Sequence, residues 1–481
     1  MHVVLWDSRA GGISKDFAGG YGVGNYHGGG GLPGRLIRWF SARDRRPPAL
    51  AFAYLAAIFR QAGHTVEYCV DRLPPSADLV VFHPALVTLA HERSMMARVL
   101  AGSPAPAVWV VGPLAAALED AFAGLDVTLV RGEPEQLFGR MEDVLAAGPG
   151  AIDIGEVACL DDLPRPEWDL FAPRRLRVSY DFWKFPTAFT QLSRGCSLRC
   201  NYCPYIARSR KVRFREPESV LDEIRHGMRR HGFRSYKFRD PLFGLDHGRV
   251  YRLAELLVGL PNRPQFSIES RIDLLPRELL AVLKRAGLTS ITFGIETPDE
   301  ATLRSYERAP IADDRQRQFV ERCRELGIRT VAGFMLGFPH DTPASIRAVS
   351  RYARLLNPTF ANFNLVTPYP GTRFFDETRA KIATFDYSRY DVYTPVLEYE
   401  HLTATELKRL HAKSFVGYYF RRDYLQANTR LLWPKLLRAD RSAAVADDNH
   451  MPVPRPMYAG RELELQIPGL ARPGDEREVR R

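Results

Sequence analysis

The chain has 481 residues, 45% of them hydrophobic, and no run of 18 or more apolar residues. That composition leaves room for two or three domains and excludes a membrane-spanning helix. The net charge of +11 calls for an anionic partner or a solvated basic face. Six cysteines, three of them within eight residues, exclude a disulfide framework and fit the reducing cytoplasm.

Residues 1–150 alternate strand and helix patterns. Val3–Trp6 reads as a buried strand and lacks the basic start and long apolar run of a signal peptide. Pro48–Gln61 has helical spacing and ends at Gly63; Val66–Asp71, Asp78–Phe82, Ala107–Gly112 and Val127–Arg131 read as further strands, with a helix over Leu114–Phe122. Continuous apolar runs alternating with helices predict a doubly wound, Rossmann-like parallel sheet that takes ligands at the carboxyl ends of its strands. A glycine-rich insertion at 11–34 follows the first strand without forming a clean G-x-G-x-x-G; it reads either as a lid over a bulky ligand or as a loop with none. Residues 151–186, with Asp162-Leu163-Pro164-Arg165-Pro166 and the aromatics Trp168, Phe171, Phe182, Trp183 and Phe185, read as a stiff linker packed between domains.

From 187 to 385 the alternation resumes. Strands are predicted at Thr187–Ser193, Ser235–Arg239, Gln265–Glu269, Ser290–Ile295, Thr330–Leu336 and Phe360–Val366, separated by helices. Six units are too few for a closed eight-stranded barrel and predict a partial (β/α)6 barrel open at one side, with reactive residues at the strands' carboxyl ends. A small helical and mixed region at 386–439 carries a helix near Thr403–Arg422, and the charged, proline-rich tail 440–481 reads as disordered.

After the first barrel strand comes Cys196-x3-Cys200-x2-Cys203. Three thiolates at this spacing suit three corners of a 4Fe-4S cluster and leave one iron for a small molecule. A structural zinc would need a fourth ligand; His226 and His231 are near, on a helix whose periodicity places it outside the barrel. Arg194, Arg199, Arg208, Arg210, Lys211, Arg213 and Arg215 surround the cysteines, as a nucleic-acid groove, an anionic-substrate site or a solvated face.

C-x3-C-x-aromatic-C after the first strand of such a barrel resembles the radical S-adenosylmethionine (SAM) superfamily. Further segments match in order: Phe238-Arg239-Asp240-Pro241-Leu242-Phe243, Glu269-Ser270-Arg271-Ile272-Asp273, Gly294-Ile295-Glu296-Thr297, Gly337-Phe338-Pro339-His340-Asp341-Thr342 and Thr367-Pro368-Tyr369-Pro370-Gly371-Thr372. Upstream, Arg131-Gly132-Glu133-Pro134-Glu135 resembles the R-G-E-x-E run that ends cobalamin-binding-type domains, so the whole resembles the cobalamin-dependent subgroup. The resemblance implies an α/β chain with an N-terminal cobalamin-binding-type domain followed by a radical SAM barrel.

It further implies that Cys196, Cys200 and Cys203 hold the cluster, whose open iron binds SAM. One electron then splits SAM to methionine and a 5′-deoxyadenosyl radical. Candidate SAM contacts are Tyr202 to stack on adenine, Asp240 to meet the ammonium, Arg271 to fork onto the carboxylate, and Glu296 to bond the ribose or ammonium; Glu269 belongs to the same strand-end set. Arg308, where relatives often carry lysine, has no assigned role. Cobalamin is expected without the D-x-H-x-x-G cobalt-ligand motif, which is absent; His83 faces either the corrin or its own loop.

The expected activity is C-methylation of an unactivated carbon of a small molecule, or else a radical rearrangement or oxidative cyclisation without methyl transfer. A one-electron donor such as flavodoxin or ferredoxin is implied. Nucleic acid is not expected: the tRNA methylthiotransferases carry a second cysteine triad, and only Cys69 and Cys159 precede Cys196. A non-catalytic cluster protein is the remaining alternative.

Overall fold

The computed structural model describes residues 1–9, 13–24, 46–178, 180–205 and 209–426. Half of the glycine-rich insertion, residues 11–12 and 25–34, and the tail from 440 lie outside the described residues. No helix among those described is long and apolar enough to cross a membrane.

The first sheet has six parallel strands: β1 His2–Asp7, β2 Thr65–Val70, β3 Leu79–Phe82, β4 Ala107–Val110, β5 Thr128–Arg131 and β6 Gly150–Asp153, in the order β2-β1-β3-β4-β5-β6. All four residues of β3 are buried because helices cover both faces. Side chains alternate across β1: Val3 and Leu5 pack with Phe52, Leu55 and Phe59 of α1 (Leu50–Gln61), whereas Val4 and Trp6 pack with Met95, Met96 and Val99 of α2 (Leu89–Leu100). The helix expected over Leu114–Phe122 is broken. It is α3 (Leu114–Ala117) followed by a 3-10 turn at Glu119–Phe122, because Leu118 leaves helical dihedrals at φ −140°. The strand β6 lies where the linker was expected to begin. Its residues are mostly exposed at the sheet edge, so it has no apolar signal to read. Helix α4 (Leu137–Ala147) connects β5 to it.

The segment after β6 joins the two sheets through its aromatics. Phe171 meets Tyr68 of β2 at 4.7 Å, and Trp168 meets Phe233, in a loop leading into the second sheet, at 5.9 Å. Trp168, Phe171 and Phe182 belong to one apolar cluster that runs from α1 into the barrel, whereas Trp183 is exposed and carries Arg329 over its ring at 3.7 Å.

The second sheet begins with β7 (Thr187–Thr190). A two-residue ribbon follows, β8 (Ser193–Arg194) paired antiparallel with β9 (Arg213–Phe214), and then α5 (Pro217–His231). Next come β10 (Ser235–Phe238), α6 (His247–Val258), β11 (Gln265–Ser270), α7 (Arg277–Ala286) and β12 (Leu288–Glu296). The sheet is completed by α8 (Glu300–Ser305), α9 (Asp313–Glu325), β13 (Arg329–Leu336), α10 (Pro343–Leu356) and β14 (Phe360–Leu365). Its six long strands are parallel, in the order β14-β13-β12-β11-β10-β7, with β7 and β14 as the two edges.

The β14 edge is closed by the helix that follows α11 (Arg373–Thr378), namely α12 (Ala404–Tyr419), which starts at a Thr403–Glu406 capping box. Tyr419 Oη donates to Ala361 O at 2.8 Å and accepts from Ala361 N at 3.1 Å; His411 Nε2 donates to Phe363 O at 2.8 Å. Side chains therefore take the backbone groups that a seventh strand would have taken. Burial holds the His411 imidazole at about 4, so it is neutral in this role.

The domains meet at Glu133, just past β5. Its carboxylate accepts from Arg213 Nη1 at 2.8 Å and Nη2 at 2.7 Å and from Val157 N at 2.9 Å, and lies 3.3 Å from Arg194 Nη1. Glu135 accepts from Arg194 Nη2 at 3.0 Å. Burial pushes the Glu133 carboxyl up, but the Arg194 charge and the Arg213 hydrogen bonds override it and hold it at about 2. Glu133→Gln would leave two buried guanidiniums without their anion and should cost on the order of 3 kcal/mol, read as a fall in the denaturant midpoint. Because the folded carboxyl sits below its ordinary 4.5, this stabilisation is complete above pH 4.5 and is lost as pH falls toward 2. The gap between wild type and variant should narrow over that window; a gap independent of pH would contradict the assignment.

Candidate active site

The cysteine loop is placed by three sets of contacts. Asp240, just past β10, accepts from Leu192 N at 3.0 Å, Ser193 N at 2.5 Å and Ser193 Oγ at 2.7 Å, which fixes the chain as it leaves β7. Arg194 is held by Glu133 and Glu135. Gly195 then turns with φ +90°, and a side-chain Cβ there would collide with the Lys211 carbonyl. Cys196 N donates to Ser209 O at 3.3 Å and Cys203 N to Cys200 O at 3.1 Å, so the loop folds back on itself. Cys196 and Cys200 are buried, Cys203 is half-buried, and all three are free thiols.

The three cysteines line a cavity of about 190 Å³ together with Tyr202, Tyr205, Glu269, Arg271, Gly294, Glu296 and Arg308. Four of the five residues proposed from sequence as SAM contacts are on this wall; Asp240 is not. Its carboxylate is fully buried beneath the loop, where burial pushes it up to about 6 against the hydrogen bonds it accepts. The expectation that Asp240 meets an ammonium is therefore corrected: it anchors the backbone that carries the cysteines.

The remaining groups form pairs of opposite charge. Glu269 lies 2.6 Å from Arg239 Nη1 and 3.5 Å from Lys237 Nζ. Arg271 forks onto Asp273 at 2.9 and 2.8 Å and reaches Ala309 O at 3.3 Å. Glu296 lies 3.3 Å from Arg308 Nη2 and sits at φ +66°, a left-handed backbone that a non-glycine residue adopts only where its surroundings hold it. Burial pushes its carboxyl up against the pull of Arg308 and Arg271. Arg308 donates to Gly294 O at 2.5 Å and hydrogen-bonds the Cys200 side chain; burial opposes its charge, but Glu296, Tyr202 and Cys200 together raise its pKa. Arg308 had no role assigned from the sequence, where the signal for one is its basic character at that position.

The Tyr202 hydroxyl is buried at this wall with no hydrogen-bond partner among the described residues. Three converging thiols, two guanidiniums, two carboxylates and an unsatisfied hydroxyl fit an anionic cluster that presents one iron to a zwitterionic amino acid.

The described part of the glycine-rich segment forms a strap from the first sheet to the barrel, against Pro204, Arg239 and Pro370. Lys15 is buried at the end of the first sheet, 3.0 Å from Asp7, 2.7 Å from Glu92 and 2.8 Å from His83 O. Asp16 is bound by Arg239, whose guanidinium lies 4.3 Å over the Phe17 ring and 3.2 Å from Tyr205 Oη. Gly19, at φ +64°, packs so closely that a Cβ would lie 3.1 Å from the Pro204 backbone. Tyr21 Oη donates to Pro370 O at 2.6 Å. His83 sits against Phe52 at 5.9 Å and against Gly112, at the carboxyl edge of the first sheet. Gly195→Ala should prevent the loop from closing: iron bound after anaerobic reconstitution should fall to a small fraction of wild type while the circular dichroism spectrum is retained, and full iron content would contradict the role given to this turn.

Residues 190–353 match the profile of the radical SAM superfamily. An anaerobic magnesium-protoporphyrin IX monomethyl ester cyclase of Cereibacter sphaeroides is 27% identical over 301 residues, 59% of this chain and 48% of that protein. An uncharacterised methyltransferase of Pyrococcus horikoshii is 23% identical over 313 residues, 61% of this chain and 67% of that protein. The match thus spans about half the length of the first relative. The radical SAM methyltransferase TsrM from Kitasatospora setae, solved with cobalamin and a 4Fe-4S cluster, superposes with TM-score 0.58 at 17% identity, covering 86% of this chain and 85% of that one. The fold is shared across both sheets. Residues 190–353, which carry the cysteine triad, form a radical SAM domain.

Proposed function

We propose that this protein is a cobalamin-dependent radical SAM C-methyltransferase acting on an unactivated carbon of a small molecule in the cytoplasm, supplied with electrons by a one-electron carrier such as flavodoxin or ferredoxin. The observation that carries the reading is the cavity itself. Cys196, Cys200 and Cys203 share one cavity with Arg271, Arg308, Glu269 and Glu296. When bound, the cluster and corrin supply SAM cleavage and methyl carriage.

The chain's own residues bind and orient. Arg271, its fork held by Asp273, brings a fixed positive charge to the cavity for a carboxylate. Glu296 and Glu269 face an ammonium or ribose hydroxyls, and the Tyr202 ring covers the adenine side. Arg308 pairs with Glu296, pulling its carboxyl down against the upward push of burial, and shares its charge with the Cys200 sulfur. A corrin would lie between the carboxyl edge of the first sheet, at His83 and Gly112, and the barrel mouth, at Tyr369, where the strap brings Tyr21 within 5.4 Å of Tyr369. The domain division that accompanies this reading is a Rossmann-like unit to residue 150, a linker to 186, a barrel to 385 and a mixed region to 439, with β6 extending the first unit to Asp153.

The likeness to a cyclase favours a second reading, oxidative cyclisation without methyl transfer. Anaerobic reconstitution with cobalamin separates the two. Methylation predicts a corrinoid absorbance, S-adenosylhomocysteine beside 5′-deoxyadenosine, and a product heavier by one methylene. Formation of 5′-deoxyadenosine alone supports cyclisation, and no SAM consumption under strong reductant overturns both. Arg271→Met and Glu296→Gln should each raise the KM for SAM by roughly ten- to a hundredfold, the loss of one charge-assisted hydrogen bond, with cluster content unchanged.

A further inference from the structure

We propose that the outer side of the cysteine loop is the docking surface for an acidic one-electron carrier protein, gripped by Arg199, Arg210 and Lys211. The proposal rests on the functional reading above, which requires electrons from outside.

Of the basic residues around the cysteines, Arg194, Arg213 and Arg215 are turned inward and neutralised, by Glu133 and Glu135, by Glu133, and by Glu223 at 2.7 Å, respectively. They are structural cations. Arg199, Arg210 and Lys211 are exposed, and among the described residues none of the three is in an ion pair. Arg199 adjoins Cys200. Residues 209–211 lie directly on Gly195 and Cys196, through the Cys196 N to Ser209 O bond at 3.3 Å and the close approach of Lys211 O to Gly195. The unpaired positive charge thus sits on the two stretches of chain that carry the sulfurs.

The loop also has two unlike sides. Its inner side is the cavity, committed to SAM and substrate. On its outer side Ser197 is exposed and is not among the residues that line the cavity. The outer side offers the short path to the cluster that leaves the reaction chamber closed. Exposed charges at a rim act mainly by steering encounter, which suits a transient electron-transfer contact and selects an anionic partner. A nucleic acid is the other polyanion. It would want aromatic platforms among the charges, and among the described residues of 195–215 no large apolar side chain is exposed. In the encounter one electron leaves the carrier's reduced flavin or iron–sulfur centre, which is oxidised by one electron, and enters the cluster; no atom is transferred at this surface.

The test compares reduction of the reconstituted cluster, without SAM, by reduced flavodoxin and by the methyl viologen radical cation, followed by stopped-flow bleaching. The triple variant R199E/R210E/K211E should lower the second-order rate constant for flavodoxin by roughly tenfold or more, with iron content and viologen reduction retained. For wild type the flavodoxin rate should fall as salt is added, a reading that needs no variant. A salt-independent wild-type rate, equal flavodoxin rates for both proteins, equal slowing by both reductants, or loss of single-stranded RNA binding with unchanged reduction would overturn the proposal. With viologen as reductant the variant should still form 5′-deoxyadenosine; failure in wild type as well would instead sink the functional reading.

Discussion

The cysteine loop is held from behind by a carboxylate of the other domain. Glu133, just past β5, takes both nitrogens of Arg213 and leans on Arg194, the residue just before Gly195 and Cys196. The same buried group therefore joins the two sheets and sets where the sulfur-bearing chain begins. Buried ion pairs of this kind contribute little net stability compared with apolar packing, but losing one partner is costly. Their value here is in register. An interface built only on the apolar continuity between α1 and Trp168 would tolerate sliding, whereas one carboxylate shared by two guanidiniums admits a single arrangement.

The front of the loop is fixed in the same manner. The strap at 13–24 leaves the first sheet, is pinned there by Lys15, and reaches the barrel through Asp16 and Arg239. Arg239 in turn holds Glu269 and contacts Tyr205, so the cavity wall takes its position from both domains. A small reaction chamber that handles radicals needs walls that do not wander. This one has a carboxylate clamp at its back, a strap at its front and the Asp240 anchor below.

Much of this was legible in the chain. The buried parallel strands announce themselves as apolar runs because both faces are covered, and the cysteine spacing is narrow enough to name its ligand chemistry. What stayed hidden was direction. An acid at the end of a strand can aim at a ligand or at backbone amides, and Asp240 does the second. A cluster of arginines can face water or be consumed inside, and here it is divided between the two. Arg308 had no pattern around it, and β6 lacked apolar residues because it is an exposed edge. The glycines at 19 and 195 made sense only once the chain segments they press against, Pro204 and Lys211, were in place.

The central claim is that the three thiols hold a cluster whose fourth iron opens onto the Arg271–Glu296 side of the cavity. Electron paramagnetic resonance of the anaerobically reconstituted, one-electron-reduced protein, recorded before and after addition of SAM, tests it most directly. The account predicts a 4Fe-4S signal that shifts when SAM binds and is lost when Cys196, Cys200 or Cys203 is replaced. A signal indifferent to SAM, or one that survives loss of those cysteines, would contradict it.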